Sequence, residues 1–138
     1  MEKSLTALFV FDHKRIFELI NDLKAEKGRE AQHKIFQKID ASLRDHLKEE
    51  EQLYSRYHQS TGELLPVFSS LKREHELFLH YLEDIKRSLE RGIKAETKIF
   101  FSLLERHKNV EERLVYPEFD RVLSKKEKEE HYAMVRDR

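Results

Sequence analysis

The sequence predicts an all-α protein, an antiparallel up-down-up-down four-helix bundle with a short C-terminal helix. Apolar residues recur every three or four positions through four long segments, which is the period of a helix that buries one face. The 138 residues include only three glycines and two prolines. Most of these lie between the segments, where short links join neighbouring helices of a bundle.

Glycine, proline and small polar residues divide the chain into these helices. Gly28 ends the first, residues 60–62 end the second, and Gly92 ends the third. Pro117 is expected to kink or end the fourth, and Ser124 to cap a short final one. The predicted helices cover about residues 4–26, 30–59, 65–91, 95–116 and 125–136.

Each long segment carries one stripe of residues spaced three and four apart, as in the buried seam of a bundle. Each stripe includes one histidine, and two of the histidines are followed one helical turn later by a glutamate. The stripes are Phe9, His13, Ile16, Ile20 and Leu23; Phe36, Ile39, Leu43, His46, Glu50, Leu53 and Tyr57; Phe68, Leu71, His75, Phe78, Leu82, Ile85 and Leu89; and Phe100, Leu103, His107, Val110 or Glu111, and Leu114.

The histidines also match in depth along the bundle. Counted from the turns at Gly28 and Gly92, all four lie 15 to 18 residues away. At a rise of about 1.5 Å per residue, their levels differ by only ~3–5 Å. Six ligand-type side chains should therefore meet at one level of the core: His13, His46, Glu50, His75, His107 and Glu111.

Such a cluster points to metal. Burial of one unpaired imidazole or carboxylate costs about 2–7 kcal/mol, and two divalent ions could bind all six groups, with the carboxylates as bridges. Histidine and carboxylate without thiolate suit iron best, with manganese or zinc as alternatives. Taken alone, a core histidine is more often only hydrogen-bonded, and one HxxxE is more often a surface pair. Their conjunction favours a metal site.

Composition excludes several other classes. The 27 Lys and Arg balance the 27 Asp and Glu, which argues against a general nucleic-acid or membrane-surface binder. There is no cysteine, so thiolate sites and disulfides are excluded. No apolar stretch approaches the 18 residues of a membrane span. We expect one domain, 1–138, in the cytoplasm.

The motifs together resemble the hemerythrin-like domains of the HHE cation-binding family. The resemblance covers nearly the whole chain and rests on His13, on HLKEEEQLY at 46–54, on His75 in REHELF, and on HKNVEERLVYP from His107. It implies a four-helix bundle with an oxo- or hydroxo-bridged di-iron centre. By this resemblance, one iron is bound by His13 and His46 and the other by His75 and His107, with Glu50 and Glu111 as bridges.

Two positions depart from the oxygen-carrying members of that family. Those carriers have a further histidine one turn after the third-helix ligand, where this chain has Leu79, while His80 lies about 100° off that face. Their last bridging residue is an aspartate five positions after its histidine, whereas Glu111 follows His107 by four. These departures favour a sensor or redox role over simple oxygen carriage.

The remaining polar residues near the motifs have simpler interpretations. His33 lies far from the ligand level, and His58 and His131 are expected at the surface. Tyr54 and Tyr116 either hydrogen-bond within the site or only pack against it. The glutamates that flank the ligands are expected on the helix surface, and the alternative is that one of them is an additional ligand or a proton relay; they are Glu49, Glu51 and Glu112.

Three functions stay open at this point. The first is a non-haem di-iron protein that binds or senses a small ligand: oxygen, nitric oxide or iron itself. The second is a di-iron redox enzyme that consumes peroxide or nitric oxide, with a redox partner protein that the sequence does not specify. The third is a metal-free helical interaction protein.

Overall fold

The computed structural model describes residues 4–63 and 65–136. Within them the protein is helical and has no strand, which confirms the predicted all-α class. A π-helical segment, Glu111–Val115, follows the fourth helix directly. The helices are α1 (Leu5–Ala25), α2 (Arg29–Thr61), α3 (Pro66–Glu90), α4 (Lys98–Val110), α5 (Tyr116–Val122) and α6 (Lys125–Arg136).

The helix ends follow from local chemistry at the predicted positions. Gly62 and Gly92 take positive φ angles of 72° and 69° after α2 and α3, a conformation that favours glycine. Before α6, Ser124 and Glu127 form a reciprocal capping box: each side chain accepts a hydrogen bond from the other's backbone N–H, at 3.1 Å and 3.0 Å. The predicted cap at Ser124 is therefore confirmed.

The helices pack in chain order, with α1 on α2, α2 on α3 and α3 on α4, and α5 contacts α1. Their buried apolar side chains form two clusters. One includes Ile20, Phe36 and Phe78, and the other includes Phe9 and Phe68. On each of the first three helices, and on α4 with its π-helical continuation, the stripe histidine lies between residues of one cluster and residues of the other. The fold thus places one polar layer between two apolar ones.

The fourth stripe departs from prediction where the helix changes its pitch. Leu114 is 57% exposed, and Leu104 is more buried than the predicted Leu103. In the π segment the backbone N–H of Tyr116 donates to the carbonyl oxygen of Glu111, five residues earlier. The turn therefore contains one extra residue, and the side chains after it are rotated about the helix axis. Val115 takes the buried position that simple helical spacing gives to Leu114.

Pro117 does not end the helical path, contrary to one of the two predicted outcomes. Proline has no N–H and its ring clashes with the carbonyl four residues earlier in a regular α-helix. The wider π turn comes immediately before it, and α5 then continues to Val122. The fourth α-helix also begins later than predicted, at Lys98.

One histidine prediction is wrong. His131 is fully buried on α6, where its ring lies 5.6 Å from the ring of Phe9, centroid to centroid. The expectation of a surface position ignored the packing of α6 against the bundle. His58 and His80 are exposed and His33 is half-buried. None of the helices in the described residues is long and apolar enough to cross a membrane.

Candidate metal centre

The six predicted residues converge in the polar layer and are all buried. They form two groups that share Glu50 and Glu111, and within each group one ligand-type atom per residue lies within 4.8 Å of the others. The first group adds His13 and His46, and the second adds the remaining two histidines. A pair of shared carboxylates between two pairs of imidazoles is the arrangement that two neighbouring cations would require.

The imidazoles face each other in pairs through their Nε2 atoms. His13 Nε2 lies 2.8 Å from His46 Nε2, and His75 Nε2 lies 3.2 Å from His107 Nε2. Two nitrogens at this separation need a proton or a metal ion between them, because their lone pairs otherwise repel. Each pair also has a shared glutamate nearby: Glu50 Oε1 is 2.8 Å from His46 Nε2.

The other ring nitrogen of every histidine faces a carboxylate from a neighbouring helix. We call these four residues the outer carboxylates. Their oxygens lie between 2.8 Å and 3.7 Å from Nδ1, the longest distance being that of Asp12. The pairs are Asp12 with His46, Glu51 with His75, Glu74 with His107, and Glu112 with His13.

These pairs form a closed cycle around the bundle. The carboxylate on α1 faces the histidine on α2, the carboxylate on α2 faces the histidine on α3, and the carboxylate on α3 faces the histidine on α4. The carboxylate of the π segment faces the histidine on α1. An Nδ1–H that donates to a carboxylate leaves Nε2 unprotonated and fixes the ring orientation. For His13, His75 and His107, whose Nδ1 atoms are within hydrogen-bond distance of their carboxylates, the cycle therefore directs the Nε2 lone pairs to the centre. Asp12, at 3.7 Å, only faces His46 Nδ1.

Sequence reasoning missed part of this cycle. Asp12 and Glu74 were not singled out, and the expected place of Glu51 and Glu112 was a helix surface. A signal was present, because each outer carboxylate directly precedes or follows one of the six core residues in the chain. Glu49, also expected on the surface, is buried.

Two tyrosines close the polar layer on the side of Phe68 and Phe119. Tyr54 OH lies 3.2 Å from both Glu50 Oε2 and Glu111 Oε2, and its single proton can be donated to either. Tyr116 OH lies 3.1 Å from His13 Nε2. Of the two alternatives considered from the sequence, hydrogen bonding within the site is the one observed.

Burial and mutual attraction set the charges of the core groups. Burial opposes charge on both partners, yet the Glu50 carboxylate raises the pKa of His46 to about 9, and the nearby imidazoles lower the pKa of Glu50 to about 2. Burial lowers the pKa of His13 and of His107. Burial and the adjacent glutamates raise the pKa of both Tyr54 and Tyr116, so both phenols stay protonated at neutral pH.

The donor set fits a metal on the evidence of its unsatisfied atoms. Glu50 Oε1 and Glu111 Oε1 are buried and lie 2.8 Å and 3.2 Å from the Nε2 atoms of His46 and His107, which are the atoms that would bind a metal. No other hydrogen-bond donor within the described chain reaches either oxygen. A buried carboxylate oxygen without a donor is costly. A divalent cation between the two oxygens would compensate both, and four imidazoles with two carboxylates match the preferences of iron, manganese and zinc.

A family model agrees with this geometry. The model of the hemerythrin HHE cation binding domain matches residues 4–119. The chain belongs to the hemerythrin HHE family. All six core residues and all four outer carboxylates of this HHE domain lie within the matched region. Comparisons with curated proteins and with solved structures give no significant match.

Family membership adds chemistry to the buried cluster. Hemerythrin HHE domains bind metal cations and small ligands, and the buried His and Glu groups of this chain could hold a metal. On the outer face of this HHE domain, a groove of about 760 Å³ reaches His75 and is lined by Leu79 and Glu51 among others. The position where oxygen carriers have a further histidine is therefore a half-buried leucine beside an open groove.

Proposed function

We propose that this protein is a non-haem di-iron protein, folded as a single up-down-up-down domain, that binds or senses a small ligand: oxygen, nitric oxide or iron itself. His13 and His46 would hold one iron, and His75 and His107 the other. Glu50 and Glu111 would bridge them beside an oxo or hydroxo group. The observation that carries the proposal is that both glutamates belong to both four-residue groups.

The chain's own residues have defined roles in this function. The outer carboxylates hold the imidazoles with Nε2 inward, and the two apolar clusters keep bulk water from the centre. Tyr54 OH lies within hydrogen-bond distance of both bridging carboxylates, and donation to either one restricts the rotation of that carboxylate. When bound, the two irons supply a coordination site and two redox equivalents for a diatomic ligand.

Metal analysis tests the proposal directly. Iron-loaded protein should contain two irons per chain, whereas Glu50→Gln and Glu111→Gln should each lose at least one. The matched control is Glu105→Gln, an exposed glutamate on α4, which should keep both. Two equivalents of manganese or zinc in protein purified from cells, with no iron, would contradict the choice of iron. One ion per chain after loading would contradict the dinuclear site, and none would favour the metal-free interaction protein.

The groove beside His75 favours a second candidate, a di-iron redox enzyme that consumes peroxide or nitric oxide. A reactant could approach the buried layer through this groove without displacing a helix. Repeated turnover with either reactant and an external reductant would support the enzyme. Binding at a fixed stoichiometry without turnover would support the sensor. A spectrum recorded with and without oxygen would accompany both assays.

A further inference from the structure

The helix α6 lies beyond the region that the family model matches, since it begins at Lys125. Polar contacts attach it to two other parts of the chain. Arg56 Nη1 on α2 donates to Glu130 Oε2 at 2.9 Å, and Tyr132 OH donates to the carbonyl oxygen of Ser4 at 2.8 Å. Family membership therefore assigns no role to α6, and its contacts have to define one.

The inward face of α6 reaches the metal centre through one aromatic ring. His131 is fully buried, and its ring lies 5.6 Å from the ring of Phe9, centroid to centroid. The Phe9 ring also stacks on Tyr116 at 4.7 Å and meets the ring of His46 edge-on at 5.2 Å, with an interplanar angle of 75°. Phe9 therefore connects α6 with a core histidine by direct packing.

His46 is the core histidine whose Nδ1 has the most distant carboxylate. In the other three, Nδ1 lies 2.8–3.2 Å from an outer carboxylate oxygen. Asp12 lies 3.7 Å from His46 Nδ1, which is too far for a hydrogen bond. The orientation of the His46 ring, and so the direction of its Nε2 lone pair, therefore depends on packing against Phe9.

The two halves of the metal centre differ in what lies behind this aromatic support. We call His13 with His46 the first pair, and His75 with His107 the second pair. Phe78 meets His107 edge-on at 5.0 Å and 79°, and it packs against another ring of the same core cluster. Phe9 has the corresponding place in the first pair, but one of the rings behind it belongs to α6. Only the first pair thus contacts a ring that α6 supports.

On the basis of the proposed function, we propose that His131 is a positioning residue for the metal of the first pair. Its ring fills the space behind Phe9 and keeps Phe9 against His46, so that His46 Nε2 stays directed at the metal. Without the His131 ring, Phe9 can move towards α6, and His46 has no hydrogen bond at Nδ1 to hold its orientation. Affinity at the second pair does not depend on this contact.

Zinc titration of the metal-free full chain tests this inference, because zinc accepts the same ligands and has no redox chemistry. Nitrogen-15 NMR of the histidine rings reports which imidazoles are metal-bound at each zinc concentration. His131→Ala should weaken zinc binding at the first pair about tenfold more than at the second. His131→Phe keeps an aromatic ring behind Phe9 and should restore the affinity of the first pair.

The matched control is Met134→Ala, at an exposed position on the same helix, which should leave both pairs unchanged. Circular dichroism and the melting temperature establish that each variant is folded. If His131→Ala does not fold, Glu127→Ala with Glu130→Ala provides the same test without a buried cavity. These glutamates bond to Ser60 and Arg56 of α2, and their loss should weaken the first pair selectively.

Equal weakening of both pairs would overturn the inference, since it would indicate a general loss of stability. Unchanged affinities in folded His131→Ala would also overturn it. A His131→Phe protein as impaired as His131→Ala would show that the ring behind Phe9 does not position His46. Parent protein that binds fewer than two zinc ions would contradict the dinuclear site of the proposed function itself, so the two failures are distinguishable.

Discussion

At the scale of single residues, the candidate metal centre depends on pairs that cross between helices. Each core histidine has one nitrogen aimed at the centre and one aimed at a carboxylate of a neighbouring helix. Such partners set the ring orientation and raise the basicity of the ligand, and their loss typically reduces metal affinity about 10–100-fold. The outer carboxylates are therefore testable as positioning residues.

Glu112→Gln should weaken metal binding by about 10–100-fold. The Glu112 carboxylate accepts from His13 Nδ1 at 2.8 Å, and that hydrogen bond lowers its pKa. An amide of the same shape keeps an acceptor but removes the charge. Competition with a chromogenic chelator measures the change, with Glu105→Gln as the control. Equal affinities in the two variants would show that this carboxylate does not position His13.

Leu79→His should slow both the loss of iron to a chelator and the oxidation of the reduced protein by air. Leu79 lies one helical turn after His75 and lines the same groove, so an imidazole there can add a ligand on the open side. Rapid-mixing absorbance gives the oxidation rate. Leu77→His, at an exposed position on the same helix, is the control. If Leu77→His slows iron loss and oxidation as much as Leu79→His does, the effect does not arise from a new ligand at position 79.

At the scale of elements, two local features orient the helices around the metal centre: the π segment and a cap at the start of α1. The π segment adds one residue at Glu111, so Glu111 and Val115 both face inward and Tyr116 reaches His13. The second feature joins the two ends of the domain. Asp120 on α5 accepts hydrogen bonds from the backbone N–H groups of Leu5 and Thr6, at 2.8 Å and 3.0 Å, and thereby caps α1.

Asp120→Ala should lower the free energy of unfolding by about 1–2 kcal/mol, the usual effect of losing an N-terminal cap. The measurement is chemical denaturation of metal-free protein, which separates the cap from metal binding. Asp45→Ala, an exposed aspartate on α2, should change stability much less. An Asp120→Ala protein as stable as this control would contradict the role of the cap.

The same cap gives a pH dependence with a definite sign. Burial raises the pKa of Asp120, but hydrogen bonds from Thr6 and Leu5 outweigh it and lower the pKa below its ordinary value of 3.8. A lowered pKa stabilises the folded state at pH values above 3.8, and this contribution is lost as the pH falls through the folded-state pKa. The stability difference between parent and Asp120→Ala should therefore be constant near neutral pH and shrink below about pH 4.

At the scale of the whole molecule, metal binding and folding are coupled. The polar layer lies between two apolar clusters, and its buried carboxylate oxygens face the imidazoles that would bind a metal. A cation that binds only the folded chain stabilises it by mass action, about 2.7 kcal/mol at a hundredfold excess over Kd. Chelation should therefore lower the melting temperature, as measured by calorimetry. Equal melting temperatures with and without chelator would contradict this coupling.

Metal affinity should also rise with pH. The raised pKa of His46, about 9, means that this imidazole is protonated at neutral pH in the metal-free protein, and ligation must displace that proton. Titrations in two buffers of different ionisation enthalpy should reveal proton release on metal binding. Zero release between pH 7 and 8 would contradict the protonated state of His46.

The sequence by itself determined the helical class, the turns at Gly62 and Gly92, and the second and third stripes, all of whose members are buried. It also determined that four histidines and two glutamates could meet. These features depend on spacing along one helix, which is set by a fixed pitch and a period of 3.6 residues. The single-domain extent, the cytoplasmic location and the roles of the metal ligands stay predictions.

Only the tertiary structure decided which helices support one another. Three features depend on how helices rotate and pack, which the period of a single helix does not encode. They are the pairing of Asp12 with His46 and of Glu74 with His107, the burial of His131, and the groove beside His75. The exposure of Leu114 has the same origin, because a π turn beside Pro117 changes the pitch locally. Local periodicity thus specified which residues face inward, and packing between helices specified what each of them contacts.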